Sequence, residues 1–431
     1  MPTKKLIEVA LPLEKINIAA AKEKSIRHGH PSTLHLWWAR RPLAACRAVL
    51  FASIVDDPSS HPDRFPTEEL QETERRRLFD IIEEMVPWEN SNNPHTLKKV
   101  REEILKATNG NPPAVLDPFC GGGSIPLEAQ RLGLEAHGSD LNPVAVLITK
   151  ALIEIPPKFA GCAPVNPDDA NRAIQSEWKG ASGLAADVRY YGNWMREEAF
   201  KRIGHLYPKA KLPNGEEATV IAWLWARTVP CSNPACGARM PLVRSFALST
   251  KPGKAAWVEP KVVRNEGEAP KVEFEVATGA SVPADKLNGT VNRQGATCLC
   301  CGKHEPLAYL RSQGKAGNMR EQLMSVVAQL KNTRIYLAPT HEQEQTTRLE
   351  SPDNPPSALM PDNPRWFSPP QYGLTNFNEL FTPRQLLALT IVSDLVHEAK
   401  KKVQIDILAN KKIYPPPPPH NFITNPFVTS M

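Results

Sequence analysis

The stretch from Pro113 to Ala145, PAVLDPFCGGGSIPLEAQRLGLEAHGSDLNPVA, constrains the fold of this chain more than any other. Ala114 to Leu116 is an apolar run of strand length that ends at Asp117. Gly121, Gly122 and Gly123 let the backbone turn sharply and keep side chains from between main chain and ligand. Ile125 to Leu132 then reads as a helix whose first free amides point back at the turn. A second short strand, Glu135 to Gly138, delivers Asp140 about twenty residues after the glycines. This is the order of a nucleotide-binding α/β unit, in which the second acid accepts hydrogen bonds from ribose hydroxyls. The turn is not Gly-x-Gly-x-x-Gly, which argues against a dinucleotide. A tight turn without a ligand is the bland alternative, but three glycines weaken a scaffold without helping it pack.

DPFCGGG resembles the first motif of the amino-methyltransferases acting on DNA bases: Asp-Pro-Phe, any residue, Gly, any residue, Gly. SDLNPVA resembles the acidic strand end that follows it. The resemblance implies an α/β fold with a Rossmann-like core that binds S-adenosylmethionine. It implies that Asp117, Phe119, Gly121 and Gly123 line the methionine side of that cofactor. It further implies that Asp140 holds the ribose, with Leu141 and Asn142 near the adenine.

Cysteine spacing gives the next signal. Of eight cysteines, two pairs stand out, Cys231 with Cys236 in VPCSNPACGARMPL and Cys298 with Cys301 in ATCLCCGKHEPL. Each closing cysteine precedes a glycine, as in a knuckle whose amides turn toward sulfur. Close pairs in a large chain without a signal peptide point to metal more than to disulfides. Four thiolates suit structural zinc and leave no open position for catalysis. The pairs lie 61 residues apart, and Ala255 to Val263 and Lys271 to Val276 read as strands of that insertion. Cys300 is a further candidate ligand, although Cys298 and Cys301 are the expected pair. The alternative, four cysteines buried without metal, sits poorly with polar, turn-forming surroundings. Cys46, Cys120 and Cys162 have no partners by spacing and read as buried thiols.

SIRHGHPSTLHLWWARRP, residues 25 to 42, combines three histidines, two tryptophans and three arginines. HPSTLHLWWARRP resembles the opening signature of the adenine-specific DNA methylases containing a zinc ribbon, a family whose N-terminal region has no assigned function. VIAWLWARTVPC and YGLTNFNELFTPRQLLALT support the resemblance, which runs in order over roughly residues 5 to 400. Physically, Arg27, Arg40 and Arg41 suit phosphates and Trp37 and Trp38 suit stacking on bases. Equally, both tryptophans can pack a helix while the arginines pair with acids. His28, His30 and His35 read as structural or surface histidines.

Four regions are expected: a helical N-terminal region over 1–108, the first part of the methyltransferase core over 109–215, a zinc-ribbon β insertion over 216–335, and a linker, helix and tail over 336–431. Pro42 opens an apolar helix to Val55, further helices cover Thr67 to Val86 and Leu97 to Ala107, and Val188 to Ile203 has helical spacing. Thr219 to Val229 reads as a strand, and Thr382-Pro383 opens a helix through Val396. The 43 prolines imply many connectors. A formal charge of +6 permits nucleic-acid binding without demanding it. With no apolar run of membrane length and no signal peptide, a cytoplasmic location is expected.

Amino-methyltransferases of the resembled kind hold the target amine with Asp, Asn or Ser, then Pro-Pro, then an aromatic ring that stacks on the flipped base. Here Asn111-Pro-Pro leads to Ala114, Ile155-Pro-Pro to Lys158, Asn354-Pro-Pro to Ser357 and Ser368-Pro-Pro to Gln371. No catalytic residue is therefore assigned. The ending KIYPPPPPHNFITNPFVTSM, with five consecutive prolines, predicts a frameshift or early stop ahead of that loop. The resemblance implies DNA as substrate, adenine N6 as acceptor, and partner subunits of a restriction or phage-defence system. A silent subunit that binds S-adenosylmethionine or nucleic acid is the second reading, and an RNA or small-molecule methyltransferase the third.

Overall fold

A computed structural model describes residues 3–170, 177–212, 214–345, 352, 354–363, 365 and 367–410. The proline-rich ending from Lys411 onward lies outside the described residues. The chain divides into two compact units, one running to Arg189 and including residues from Asp406, the other Tyr190–Ile405. Among the described residues no helix is long and apolar enough to cross a membrane.

The first unit begins with helices. Leu6–Val9 is a single turn, followed by α1 (Leu13–Glu23), α2 (Leu43–Ile54), α3 (Glu68–Met85) and α4 (Pro94–Ala107). Their starts follow local chemistry: the Thr67 side chain accepts from the Leu70 amide, and Asn93 accepts from His95 and Thr96 ahead of Pro94. After α4 the chain runs through β1 (Val115–Asp117), α5 (Ser124–Arg131), β2 (Ala136–Gly138) and α6 (Pro143–Thr149). The two strands pair in parallel, Val115 beside Ala136 and Asp117 beside Gly138, so α5 is the crossover of a β-α-β unit. One shared core holds the helices and this unit together, with Phe51, Ile82, Met85, Val100, Ala129 and Leu132 all buried. The sequence expectation treats residues 1–108 and 109–215 as separate regions, whereas their apolar faces meet in this core.

A buried ion cluster crosses that core. Arg47 on α2 is fully buried; its guanidinium donates to Glu23 on α1 at 3.0 Å, to Glu128 on α5 at 3.0 Å and to the Val86 carbonyl at 2.8 Å. Arg131 also pairs with Glu128 and lies over the Trp88 ring at 5.5 Å. The second Glu23 oxygen accepts from the Ala44 amide at 3.1 Å, placing an anion at the start of α2. Two arginines and two glutamates thus cancel inside apolar surroundings.

In the second unit the long strand β4 (Glu217–Pro230) is the spine, after β3 (Ala210–Lys211). It pairs antiparallel with β3, with β5 (Arg239–Leu242) and with a strand late in the unit, Arg320–Leu330. A separate three-stranded sheet joins β6 (Ala247–Ser249), β7 (Ala255–Val263) and β8 (Lys271–Gly279) in that order. The hairpin of β9 (Gly295–Thr297) and β10 (His304–Pro306) and a helix, Leu307–Lys315, complete the insertion. The helices Ser182–Ile203 and Pro383–Asn410 each contain a boundary between the units.

Removing one member of a buried ion cluster strands its partners. Arg47→Met is expected to destabilise the first unit by about 3–5 kcal/mol. Adding Glu23→Gln and Glu128→Gln should return a large part of that loss, because no anion is then left unpaired. Chemical denaturation followed by circular dichroism reads both; an Arg47→Met protein as stable as the parent sinks the argument.

Candidate functional site

The glycine turn is built by its own strand ends. The Asp117 carboxylate accepts from the Phe119 amide at 3.1 Å, folding the chain back past the end of β1. One Asp140 oxygen accepts from the Gly121 amide at 2.9 Å and the other from the Asn142 amide at 2.8 Å. Asn142 in turn caps α6, its side-chain oxygen accepting from Val144. Asp140 therefore ties the turn after β1 to the turn after β2, and each of its oxygens keeps a lone pair for a further donor.

Gly121 and Gly123 have φ of +48° and +71°, a left-handed backbone that glycine adopts without a side-chain penalty. Among the described residues the amides of Gly122, Ser124 and Ile125 have no acceptor, and the buried Ser124 hydroxyl has no partner. Such a set of free donors at a helix start suits an anionic or strongly polar group. Phe119 is 81 % exposed and Leu141 fully exposed beside the turn, an unusual placement for large apolar side chains. The seven residues expected around a nucleotide thus lie on one turn, its two strand ends and the first residues beyond them.

Sequence reasoning missed what covers the turn. Trp37 packs so closely on Gly121 that an added Cβ would lie 2.7 Å from its indole nitrogen. At Gly122 a Cβ would lie 3.0 Å from the Arg40 guanidinium carbon. Arg40 donates to the Gly122 carbonyl at 2.8 Å and to the His35 carbonyl at 3.1 Å, so it holds backbone, not an acid. Trp38 stacks on Trp37 at 4.5 Å and is 83 % exposed. Arg27 donates to the Lys24 carbonyl, and Arg41 is exposed. The tryptophan-arginine segment is split: Trp37 and Arg40 are structural here, while Trp38 and Arg41 face solvent. The available signal was the run of three glycines, more than a ligand turn alone requires.

The cysteines form a second site, in the other unit. Cys231 and Cys236 sit in the connection between β4 and β5, Cys298 and Cys301 in the one between β9 and β10. Their four sulfurs lie within 4.8 Å of one another. Cys231 stands 3.7 Å from Cys301 and Cys236 4.0 Å from Cys298. Four sulfurs at 2.3 Å from a tetrahedral metal are roughly 3.8 Å apart, and these two pairs lie close to that spacing, so the donor set is compatible with such an ion. Backbone N–H groups of Asn233, Ala238 and Lys303, each two residues beyond a cysteine, donate toward the sulfurs. Burial pushes the Cys231 thiol up to about 12, whereas the Lys303 amide brings Cys301 down to about 7. Cys300 lies outside the cluster; its carbonyl accepts from Arg264 at 2.6 Å. Cys46, Cys120 and Cys162 are free thiols elsewhere.

Two of the Pro-Pro steps are helical, in Ile155–Lys158 and Pro369–Tyr372. An extended target-holding loop is not formed there.

Gly121→Ala should destabilise the first unit by about 1–3 kcal/mol, combining left-handed strain with the clash on Trp37. The double variant with Trp37→Ala should recover only the clash. Thermal unfolding of the four proteins tests this, and strict additivity of the two substitutions would remove the proposed contact.

Residues 10–81 match a family described as a protein of unknown function, DUF1156. No curated protein and no solved structure matches the chain. The matched segment contains α1 with Glu23, α2 with Arg47, most of α3, and the tryptophan-arginine stretch whose Trp37 and Arg40 pack on the glycine turn.

Proposed function

We propose that this chain is the cofactor-binding part of an S-adenosylmethionine-dependent DNA amino-methyltransferase of the Rossmann-like class, with a structural zinc ribbon. The observation that carries the reading is the parallel pairing of β1 and β2 around a glycine turn, with Asp117 at one strand end and Asp140 just past the other. That arrangement sets free amides, a carboxylate with spare lone pairs and two exposed apolar side chains around one turn. Asp117, Phe119, Gly121 and Gly123 would hold the amino-acid end, Asp140 the ribose hydroxyls, and Leu141 and Asn142 the adenine. The bound cofactor supplies a methyl group on a sulfonium; the protein's part is to fix its position and exclude water. DNA, with adenine N6 as the acceptor, follows from the resemblance of DPFCGGG and the tryptophan-arginine signature to the methylases. Cys231, Cys236, Cys298 and Cys301 would hold the zinc, with every coordination position filled by thiolate.

A second reading has one feature in its favour: none of the Pro-Pro steps after Asn111, Ile155, Asn354 and Ser368 leads directly into an aromatic residue. A binding subunit without turnover fits that feature, its partners being other proteins of a modification or defence system.

Calorimetric titration of the full chain with S-adenosylmethionine and with its demethylated product should give binding, and Asp140→Asn should weaken it by about tenfold or more. Absence of binding by folded protein removes the cofactor reading. Tritiated methyl transfer to unmethylated DNA separates enzyme from binding subunit. Elemental analysis should find a single zinc per chain, reduced by Cys236→Ser together with Cys298→Ser.

A further inference from the structure

A cavity of about 500 Å³ opens on the second unit, away from the cysteine cluster in its lining and unlike it in chemistry. It is lined by the nearly buried Ala226, Val243 and Met324 and by Trp225 on β4. Arg244 and Asn288 stand exposed at the rim. We propose that this cavity takes an unstacked nucleotide of a single nucleic-acid strand, the base lying on Trp225 and a phosphate meeting Arg244.

Trp225 differs from the other tryptophans of its neighbourhood. Trp223 donates its indole N–H to Gln343 at 2.8 Å and carries the Arg384 guanidinium at 3.6 Å from its ring. Trp257 donates to Glu259 at 3.2 Å. Among the described residues Trp225 has neither an acceptor for its N–H nor a ring partner. A tryptophan of intermediate burial, without a ring partner among the described residues and beside apolar lining, fits a flat, stackable group.

The polar groups point to the same class. Arg244 is the one charged residue lining the cavity, and among the described residues no carboxylate pairs with it. An uncompensated guanidinium selects an anion and suits the fork geometry of phosphate. The Asn288 amide, with donors and an acceptor unpaired among the described residues, is equipped to meet a base edge. Residues 216–335 hold 16 lysines and arginines against 10 acids, a surplus equal to that of the whole chain, +6. Such a surplus draws a polyanionic strand.

The rim is also built. Gly289 donates to the Arg244 carbonyl at 2.9 Å, and a Cβ there would fall 2.0 Å from the Val243 carbonyl oxygen. Val243 donates to the Thr290 hydroxyl at 2.9 Å, and Val291 to the Val243 carbonyl at 3.0 Å. The segments bearing Arg244 and Asn288 are thereby fixed to each other. A volume of about 500 Å³ lies within the roughly 300–1,000 Å³ of small-ligand sites. This site does not depend on the cofactor reading of the glycine turn.

Fluorescence anisotropy of the full chain with labelled oligo-dT, oligo-rU and duplex DNA, without cofactor, tests the assignment. Single strands should bind more tightly than duplex, and the preference between oligo-dT and oligo-rU identifies the strand. Trp225→Ala should weaken binding by about tenfold, with Trp225→Phe restoring most of it. Arg244→Gln should weaken binding and lower the salt slope by about 1. Circular dichroism serves as the folding control, and exposed Arg244 gives a variant free of packing damage. Parent-like binding by both Trp225→Ala and Arg244→Gln overturns the proposal, as does failure of the parent to bind any single strand or duplex binding of equal strength.

Discussion

The contact on which the first unit depends is Arg47 with Glu128, both fully buried. An isolated guanidinium in that position would be intolerable, so the chain must bring it two carboxylates and a carbonyl from three other elements at once. That requirement is a constraint of register. Glu23 fixes α1, the Val86 carbonyl fixes the end of α3, and Glu128 fixes α5, all against one side chain of α2. Apolar packing between the same helices would tolerate small slides; an ion cluster with defined partners penalises them. Its contribution is therefore to specificity of arrangement more than to net stability, since buried ion clusters roughly break even against well-packed apolar groups.

Placement of α5 matters because Gly123, the last glycine of the turn, is the cap residue ahead of it. One end of the helix supplies Glu128 to the core, and the other supplies unpartnered amides to the glycine turn. Arg40 and Trp37 also pack on this turn. The turn is thus held by Asp140 from β2, by Arg40 from the segment before α2, and by α5 behind it. Rigid positioning of free donors is what binding of a small polar ligand needs, because ordering them on binding would cost affinity. The DUF1156 segment gains a physical description from this. It supplies Trp37 and Arg40, which pack on the turn, and its core is shared with the β-α-β unit.

How much of this was legible in the sequence depended on the range of the chemistry involved. The turn itself could be read, since glycines flanked by strand-end acids state their geometry within 25 or so residues. So could the cysteine knuckles, where thiol chemistry leaves few alternatives. Long-range partners were invisible. Within LAACRAVLFASI, nothing near Arg47 names Glu23 or Glu128. Trp37 meets Gly121 across 84 positions, and the segment's two readings could not be separated until that contact was seen. Helix ends shifted where a cap outweighed periodicity, as at Asn93-Pro94, three residues ahead of the first apolar position.

The second unit solves the same problem of order by other means. One of its knuckles closes the hairpin of β9 and β10, strands of three residues each and too short to persist alone in water. Sulfurs replace the missing apolar area: Cys231, Cys236 and Cys298 lie within the same buried cluster as Val229, Met240, Val258 and Phe274. Four thiols packed at van der Waals distance add little cohesion by themselves, whereas four thiolates on a divalent cation are a covalent-like cross-link between distant segments. On the proposed zinc reading, β4 then enters the first knuckle with its last residue fixed. Trp225 sits only six positions before Cys231 on that strand. A metal that never touches the Trp225 cavity would still set the register of the strand that forms its wall.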